Sequence, residues 1–292
     1  MSVARQSPCK VNLLLNILRK REDGFHELET LMHPVPLFDE LEFMETAGGI
    51  QIDCNVPELK TDESNLIHRA AKSFLETAGI NSGVYIKHQK NVPMAGGLAG
   101  GSANAAHTLR GLNELFDFPL SSEQLHEIAA SHGSDINFFL QDEPALATGR
   151  GEQIESCGSF PALRGCGIFL VNPRFGVSTP GAFRRLADYP EAITGDESLG
   201  AKLIESLRKD DLATASKRFY NSLEAPVFPK YPLLRIYREF LEDNGAVAAM
   251  MSGSGSTTFA LTSSPAAAEE LQSCFRRRFG LHAWSKALAL CE

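Results

Sequence analysis

The chain has 292 residues, 43% hydrophobic and 22% charged. That composition excludes a disordered, collagen-like or coiled-coil protein, and the length fits two modest domains or one large one. The formal net charge is −8, so no general nucleic-acid surface is expected, because phosphate backbones need clustered Lys and Arg. The basic run Arg276–Arg278 reads as a solvated helix end. The longest wholly apolar stretch, Ala246–Met251, is far short of the roughly 20 residues that a membrane helix needs. Met1–Lys10 has no apolar segment of the signal-peptide kind. Six cysteines (Cys9, Cys54, Cys157, Cys166, Cys274 and Cys291) form no C-x-x-C pair. Reduced thiols and a cytoplasmic location are expected.

Val11–Leu18 is rich in Leu and Ile and predicts a buried strand. Leu28–Val35 and Leu37–Met44 predict two more, with Pro34, Pro36 and Asp39 as punctuation. A turn at Gly48-Gly49 leads to Ile50–Asp53. Ser64 is placed to cap a helix whose apolar face is Leu66, Ile67, Ala70, Ala71, Phe74, Leu75 and Ala78. Gly79 stands where a helix-ending glycine belongs. Val84–His88 is a short strand. A helix is expected from about Ser102 to Phe116, and Ser121 with Gln124 makes a capping box for the next, ending near Gly133. Leu146–Thr148 and Gln153–Ser156 suggest a hairpin. Gly158–Gly167 marks a domain boundary, followed by a strong strand over Gly167–Val171. Helices are expected near 180–188, 198–208, 211–222, 230–243 and 265–278. Strands are expected at Ala246–Met251, Thr257–Leu261 and near 282–288. The mixture is of the α+β or α/β class.

The segment Val92–Ala106 carries most of the chemistry. It places four glycines, Gly96, Gly97, Gly100 and Gly101, between a strand and a helix. Glycine lets a backbone approach a ligand without a Cβ in the way, and a helix start offers unpaired N–H groups and positive potential. Together they suit phosphate. G-x-G-x-x-G does not fit, and the P-loop pattern lacks its Lys. A glycine turn that only packs a helix on a sheet is the plainer alternative. The number of glycines, with Ser102 and Asn104 following, favours phosphate.

Three other segments are informative only in combination. In Ser7–Leu13, period-two alternation puts Lys10 and Asn12 on one face. A Lys turned inward needs an anionic partner, and by itself the segment equally fits an edge strand with its Lys in water. In Ser131–Leu140, Asp135 alone reads as a first-turn helix acid. Met250–Phe259 is either a flexible hairpin or a second small-residue loop over the same ligand.

The order and content of these segments resemble the GHMP kinases, named for galactokinase, homoserine kinase, mevalonate kinase and phosphomevalonate kinase. Pro93–Ala106 resembles their second motif and Met251–Thr257 their third. Within them the resemblance points to the branch acting on a cytidine diphosphate derivative of methylerythritol. That branch's P-A-K-I-N-L appears as Pro8-Cys9-Lys10-Val11-Asn12-Leu13. Its D-G-Y-H-x-L appears as Asp23-Gly24-Phe25-His26-Glu27-Leu28, and its G-A-D-V-P-F-F as Gly133-Ser134-Asp135-Ile136-Asn137-Phe138-Phe139.

The resemblance implies an α+β, two-domain GHMP kinase fold, divided as 1–158 and 159–292, with the active site in the cleft between domains. It implies ATP as co-substrate, Mg²⁺, and transfer to the substrate's 2-hydroxyl on the non-mevalonate route to isoprenoids. Lys10 and Asp135 would be the catalytic pair. ATP would meet Asn65, Pro93, Met94, Ala95, Gly96, Gly97, Leu98, Ala99, Gly100, Gly101, Ser102 and Ala103. The substrate would meet Asn12, Phe25, His26, Thr179 and Phe183, the cytosine lying against the aromatic rings. Partners would be these two small molecules, with no nucleic acid or membrane, in a monomer or homodimer. The residues binding Mg²⁺ stay open.

Four positions depart from the usual pattern: Phe25 replaces Tyr, Cys9 replaces Ala, Asn137 replaces Pro and Ala103 replaces Ser. A thiol beside Lys10 is expected to be reactive. A helix start and a nearby Lys should both lower the Asp135 pKa, so it is expected to orient the hydroxyl first and take its proton second. Other readings are a homoserine- or mevalonate-type kinase, and a nucleotide-binding regulator that has lost catalysis. Gly24-Phe25-His26 speaks against the former and Lys10 with Asp135 against the latter.

Overall fold

A computed structural model describes residues 2–290. In chain order the elements are β1 (Ser2–Lys20), β2 (His26–Thr46), β3 (Ile50–Cys54), α1 (Leu66–Ala78), β4 (Gly83–Gln89), α2 (Gly100–Leu115), α3 (Ser122–His132), β5 (Ala145–Thr148), β6 (Gln153–Ser156) and β7 (Gly167–Asn172). There follow α4 (Thr179–Arg185), α5 (Leu199–Arg208), α6 (Leu212–Ser216), β8 (Tyr220–Asn221), α7 (Glu224–Val227), α8 (Pro232–Asp243), β9 (Ala248–Met251), β10 (Thr258–Thr262), α9 (Pro265–Phe279) and β11 (Trp284–Ala289). The class is α+β, as expected.

These elements make two compact units, each assembled from separate stretches of chain. The first holds the chain up to Cys9, Leu37–Val92 and Ala99–Asp142; the second holds Lys10–Pro36, Pro93–Leu98 and the chain from Glu143 onward. The long strands β1 and β2 contribute residues to both.

In the first unit β4 pairs antiparallel with residues 40–46 of β2 and parallel with β3, and α1 packs along α2 and α3. Helix α1 begins one residue later than expected. Asn65, not Ser64, is its N-cap, with Oδ1 accepting from the Ile67 N–H at 2.8 Å, while Ser64 hydrogen-bonds Asp62. Its other end is as expected, Gly79 sitting in the left-handed region at φ 66°. The capping box of α3 is formed by Ser121 and Gln124.

The two strands expected between Leu28 and Met44 are one. Strand β4 reaches residues 40–46 of β2, and β5 pairs with residues 30–32. Pro34 and Pro36 fall between the residues that β4 and β5 pair with, while β1 borders β2 on its other side. Asp39 is not punctuation either. It lies inside β2, wholly buried. Its carboxylate accepts from Lys90 Nζ, from the Asn91 and Val92 N–H groups at 2.7 and 2.8 Å, and from Asn104 Nδ2 at 2.9 Å. Thus one side chain fastens the strand that enters the glycine segment and the helix that leaves it.

In the second unit β7 and β10 are the central strands of an antiparallel sheet of order β11-β7-β10-β9. Helices α8 and α9 cover it through a core that includes Phe169, Val171, Tyr237, Leu241 and Phe275. The β5–β6 hairpin forms as expected. The helix expected over 211–222 stops at Ser216, and Tyr220–Asn221 instead pairs parallel with Leu14–Leu15 of β1. A two-residue strand has no periodicity to betray it.

Burial pushes the Asp39 carboxyl upward, but the neighbouring His88 ring, with Nε2 at 3.9 Å, the Lys90 charge and the Val92 N–H outweigh it and hold the group at about 2. A depressed carboxyl stabilises the fold above its unfolded value, and that stability is lost as pH falls through the folded value. Asp39→Asn should therefore cost about 3–5 kcal/mol at neutral pH, because Lys90 is left buried without its carboxylate. It should also flatten the acid loss of stability toward about pH 2. Urea unfolding across a pH series checks both.

Candidate active site

Strand β1 is buried without a break from Lys10 to Leu15, so a polar side chain there must find its partners inside. Lys10 is 4% exposed, which excludes an edge strand with its Lys in water. Its Nζ donates to Asn12 Oδ1 at 2.6 Å, Asn12 Nδ2 donates to Thr30 Oγ1 at 2.7 Å, and Thr30 Oγ1 donates to the Leu14 carbonyl at 2.6 Å. The chain of donors fixes the Asn12 amide, because each end has the one partner that suits it. The Lys10 N–H also donates to the Leu98 carbonyl at 3.1 Å. One residue thus ties β1 to the glycine segment and aims an ammonium.

That segment contains three left-handed residues in a short span, Ala95 (φ 51°), Gly97 (φ 78°) and Ala99 (φ 52°). Within the second unit the loop Ser252–Ser256 and the residue after it grip Pro93–Leu98. The Thr257 N–H donates to the Gly96 carbonyl at 3.0 Å, and Ser252 Oγ donates to the Gly97 carbonyl at 3.0 Å. A Cβ on Gly97 would stand 2.0 Å from the Ser252 carbonyl oxygen, so packing alone demands glycine there. Leu98 and Ala103 are buried, the Leu98 carbonyl being taken by Lys10 and the Ala103 N–H by the Ala99 carbonyl. Pro93 is half-buried, and Met94 and Ala95 are exposed.

In the first unit α2 starts at Gly100, two residues earlier than expected, with Ala99 as an N-cap that offers no side-chain acceptor. Nothing from the cap satisfies the first-turn N–H groups. Gly101 is exposed, and a Cβ there would meet only Leu66 Cδ1 at 3.7 Å. The fold therefore explains Gly97 but not Gly101. Ser102, next along, is half-buried.

The hairpin between β1 and β2 is closed by the Arg21 N–H to the Phe25 carbonyl at 2.8 Å. It presents Phe25 56% exposed, with the Arg150 guanidinium 5.0 Å from the ring centre. The His26 ring lies 5.3 Å from that of Phe183 and tilted by 38°. Burial, then the Lys20 charge, lower the His26 pKa below its usual value of 6.5. Thr179 Oγ1 lies 2.7 Å from Ser254 Oγ, joining the start of α4 to the Ser252–Ser256 loop. The second unit thus assembles Lys10, Asn12, Pro93–Leu98, Thr179 and the His26–Phe183 pair.

Asn65 and Asp135 belong to the first unit. Asn65 already uses its amide twice, in the α1 cap and by donating Nδ2 to the Lys60 carbonyl at 2.5 Å. One amide proton and one lone pair are left for another partner. Asp135 does not begin a regular helix. It is half-buried in the turn closed by the Ile136 N–H to the Gly133 carbonyl at 3.3 Å, and a 3-10 turn, Asn137–Leu140, follows. Phe138 and Phe139 are buried edge to face at 4.9 Å and anchor that turn. Asn137, where the family has Pro, meets His126 Nδ1 at 3.2 Å. Cys9 is wholly buried, so access by reagents is closed and the expected reactivity finds no support. Among the described residues no group of three or more His, Cys, Asp or Glu could hold a metal, and no helix is long and apolar enough to cross a membrane.

Asp39 and Lys90, which fix the strand entering the glycine segment, are not among the residues expected for the site. An acidic residue on the inward side of an alternating strand was the one available signal, at Asp39.

Residues 65–143 match the family described as GHMP kinases N terminal domain, and residues 203–281 match GHMP kinases C terminal. A 4-diphosphocytidyl-2-C-methyl-D-erythritol kinase of Exiguobacterium sibiricum is 39% identical over 277 residues, covering 94% of each chain. One of Syntrophus aciditrophicus is 39% identical over 266 residues, 91% of this chain and 92% of that one. A crystal structure of 4-(cytidine 5'-diphospho)-2C-methyl-D-erythritol kinase superposes with a TM-score of 0.82 at 33% identity, over 98% of this chain and 99% of the other. A homoserine kinase of Cytophaga hutchinsonii, at 20% identity and a TM-score of 0.78, shares the fold. The chain belongs to the GHMP kinases and, within them, to the family of 4-diphosphocytidyl-2-C-methyl-D-erythritol kinases.

The two kinds of glycine are separable by mutation. Gly97→Ala should cost at least about 2 kcal/mol, from the left-handed backbone and the Ser252 clash. Gly101→Ala should leave stability unchanged or raise it by up to about 1 kcal/mol, as alanine replaces a helical glycine. Thermal unfolding of both variants checks this.

Proposed function

We infer that the protein transfers the γ-phosphoryl group of ATP to the 2-hydroxyl of 4-diphosphocytidyl-2-C-methyl-D-erythritol, a step of non-mevalonate isoprenoid precursor synthesis. The observation that carries the reading is the joining of Lys10 to the glycine segment, on a chain that aligns with these kinases almost end to end. The tilted His26–Phe183 pair supports a base-bearing substrate, since a nucleobase offers a flat face to stack. The absence of the Tyr hydroxyl at Phe25 leaves stacking as that residue's means of recognition.

Phosphoryl transfer is mainly positioning and charge stabilisation. The backbone N–H groups of Gly100, Gly101 and Ser102, with the amides of residues 95–98, would hold the triphosphate. Lys10, kept in one orientation by Asn12, would stabilise charge on the transferring phosphoryl. Asp135 would orient the attacking hydroxyl and accept its proton late, after most of the bond to the leaving group has broken. Asn65 would meet the adenine with the part of its amide that the α1 cap leaves over. Asn12 and Thr179 would line the substrate side.

Magnesium commonly binds through one or two carboxylates plus substrate phosphates rather than in an all-protein cage. Ser102 and Asp135 offer hard oxygen donors of the kind that mode uses. The ion would neutralise phosphate charge. The boundary between the family's two domains is placed near residue 158, supported by matches at 65–143 and 203–281 on either side. The free thiols Cys54, Cys157, Cys166 and Cys274 support a cytoplasmic setting.

ATP consumption should appear with the cytidylyl substrate and not with homoserine or mevalonate. Turnover on either of the latter alone would overturn the assignment. Asp135→Asn should lower turnover by about 100-fold or more with little change in ATP affinity, and near-normal turnover would remove Asp135 from its role. Gly101→Ala should weaken ATP binding despite its intact stability. Phe183→Ala should raise the KM for the cytidylyl substrate by about tenfold or more, from roughly 1–3 kcal/mol of lost stacking. The KM for ATP should stay within about twofold, and equal effects on both would argue against a base pocket there.

A further inference from the structure

The turn Asn221-Ser222-Leu223-Glu224 matches no motif of the reaction, yet its side chains converge on the start of the Ser252–Ser256 loop. Asn221 is 3% exposed. Its Nδ2 donates to the carbonyls of both Met251 and Gly253, at 2.7 and 2.8 Å, and its Oδ1 accepts from the Leu223 N–H at 2.9 Å. Two donors and an acceptor in this geometry are met by Asn alone among residues of its size. Glu224 Oε1 accepts from the Met251 N–H at 2.8 Å, and its Oε2 accepts from Arg238 Nη1 at 2.6 Å. Both backbone polar groups of Met251 are thus held by side chains of this one turn.

The turn is itself registered on β1. Asn221 stands opposite Leu15, the Ser222 N–H donates to the Leu15 carbonyl at 2.9 Å, and Ser222 Oγ accepts from the Ile17 N–H at 2.9 Å. From the other side of the loop, Ser252 and Thr257 hold the carbonyls of Gly97 and Gly96. A continuous path therefore runs from the strand that carries Lys10 and Asn12, through Asn221, to the glycine segment.

We propose that Asn221 is a positioning residue for nucleotide binding: its amide sets the place of the Ser252–Ser256 loop, and through that loop the place of Gly96 and Gly97. The inference rests on the reading of Pro93–Leu98 as a phosphate-binding segment. Asn221→Asp keeps the shape but turns lone pairs, in place of donors, toward two buried carbonyls, an arrangement that costs the full desolvation of each.

The test uses the full chain, with ADP as the probe in calorimetry and steady-state kinetics alongside. Asn221→Asp is expected to weaken ADP binding and raise the KM for ATP by about tenfold, with the KM for the cytidylyl substrate within about twofold. Asn221→Ser keeps one donor and should fall between; it is the variant to read if the Asp variant does not fold. Ser222→Ala removes only the bond from Ile17. It should lower the unfolding temperature while leaving ADP affinity unchanged. ADP affinity at the wild-type level in folded Asn221 variants would overturn the proposal. So would an equal loss in Ser222→Ala, which would mark a general structural effect. Wild-type protein that binds no ADP would instead refute the phosphate-binding reading beneath it.

Discussion

The buried carboxylate of Asp39 is the constraint on which the first unit depends. A charge with no access to water survives only when donors surround it, and here the donors come from both sides of the glycine segment. Lys90, Asn91 and Val92 precede it and Asn104 follows it. The segment between is not free to choose its path, because its two ends are fixed to one strand. The start of α2 is therefore held with its first N–H groups in place, although Ala99 caps it with no side chain.

The second unit meets the same need with a chain of donors. Lys10, Asn12 and Thr30 form a relay of single hydrogen bonds, and backbone bonds tie that strand to Leu98. Carbonyls of the glycine segment are claimed by Ser252 and Thr257. With the carbonyls of Gly96, Gly97 and Leu98 taken by the protein, a glycine-rich stretch is held to one path. Rigidity of this kind is what phosphoryl transfer rewards, since little covalent chemistry is asked of the protein.

Much of this was legible in the sequence where a local rule decides the structure. Gly79 ends α1 because it alone takes the left-handed cap cheaply, and Ser121 with Gln124 starts α3 because their side chains satisfy each other's backbone. The alternation put Lys10 and Asn12 on one face, and there the two side chains meet. What stayed hidden depends on partners far along the chain. Asp39 looks like a turn former until Lys90 and Asn104 surround it. The Asn65 cap and Ser64 are neighbours with similar capping preference, and the contact of Ser64 with Asp62 decides between them. Strand β8 exists only because β1 is there to pair with it. Asn221 showed nothing of itself, since its use lies in two carbonyls thirty residues and more away.

The two prolines of β2 have a consequence beyond the continuity of that strand. Being two residues apart, they withdraw donors that would face the same edge. Any strand that pairs with β2 on that side across residues 34–36 meets two positions without an N–H, and its ladder there lacks those bonds. The proline pair thereby makes this stretch of a long, largely buried strand a poorer template for strand pairing than the residues before and after it.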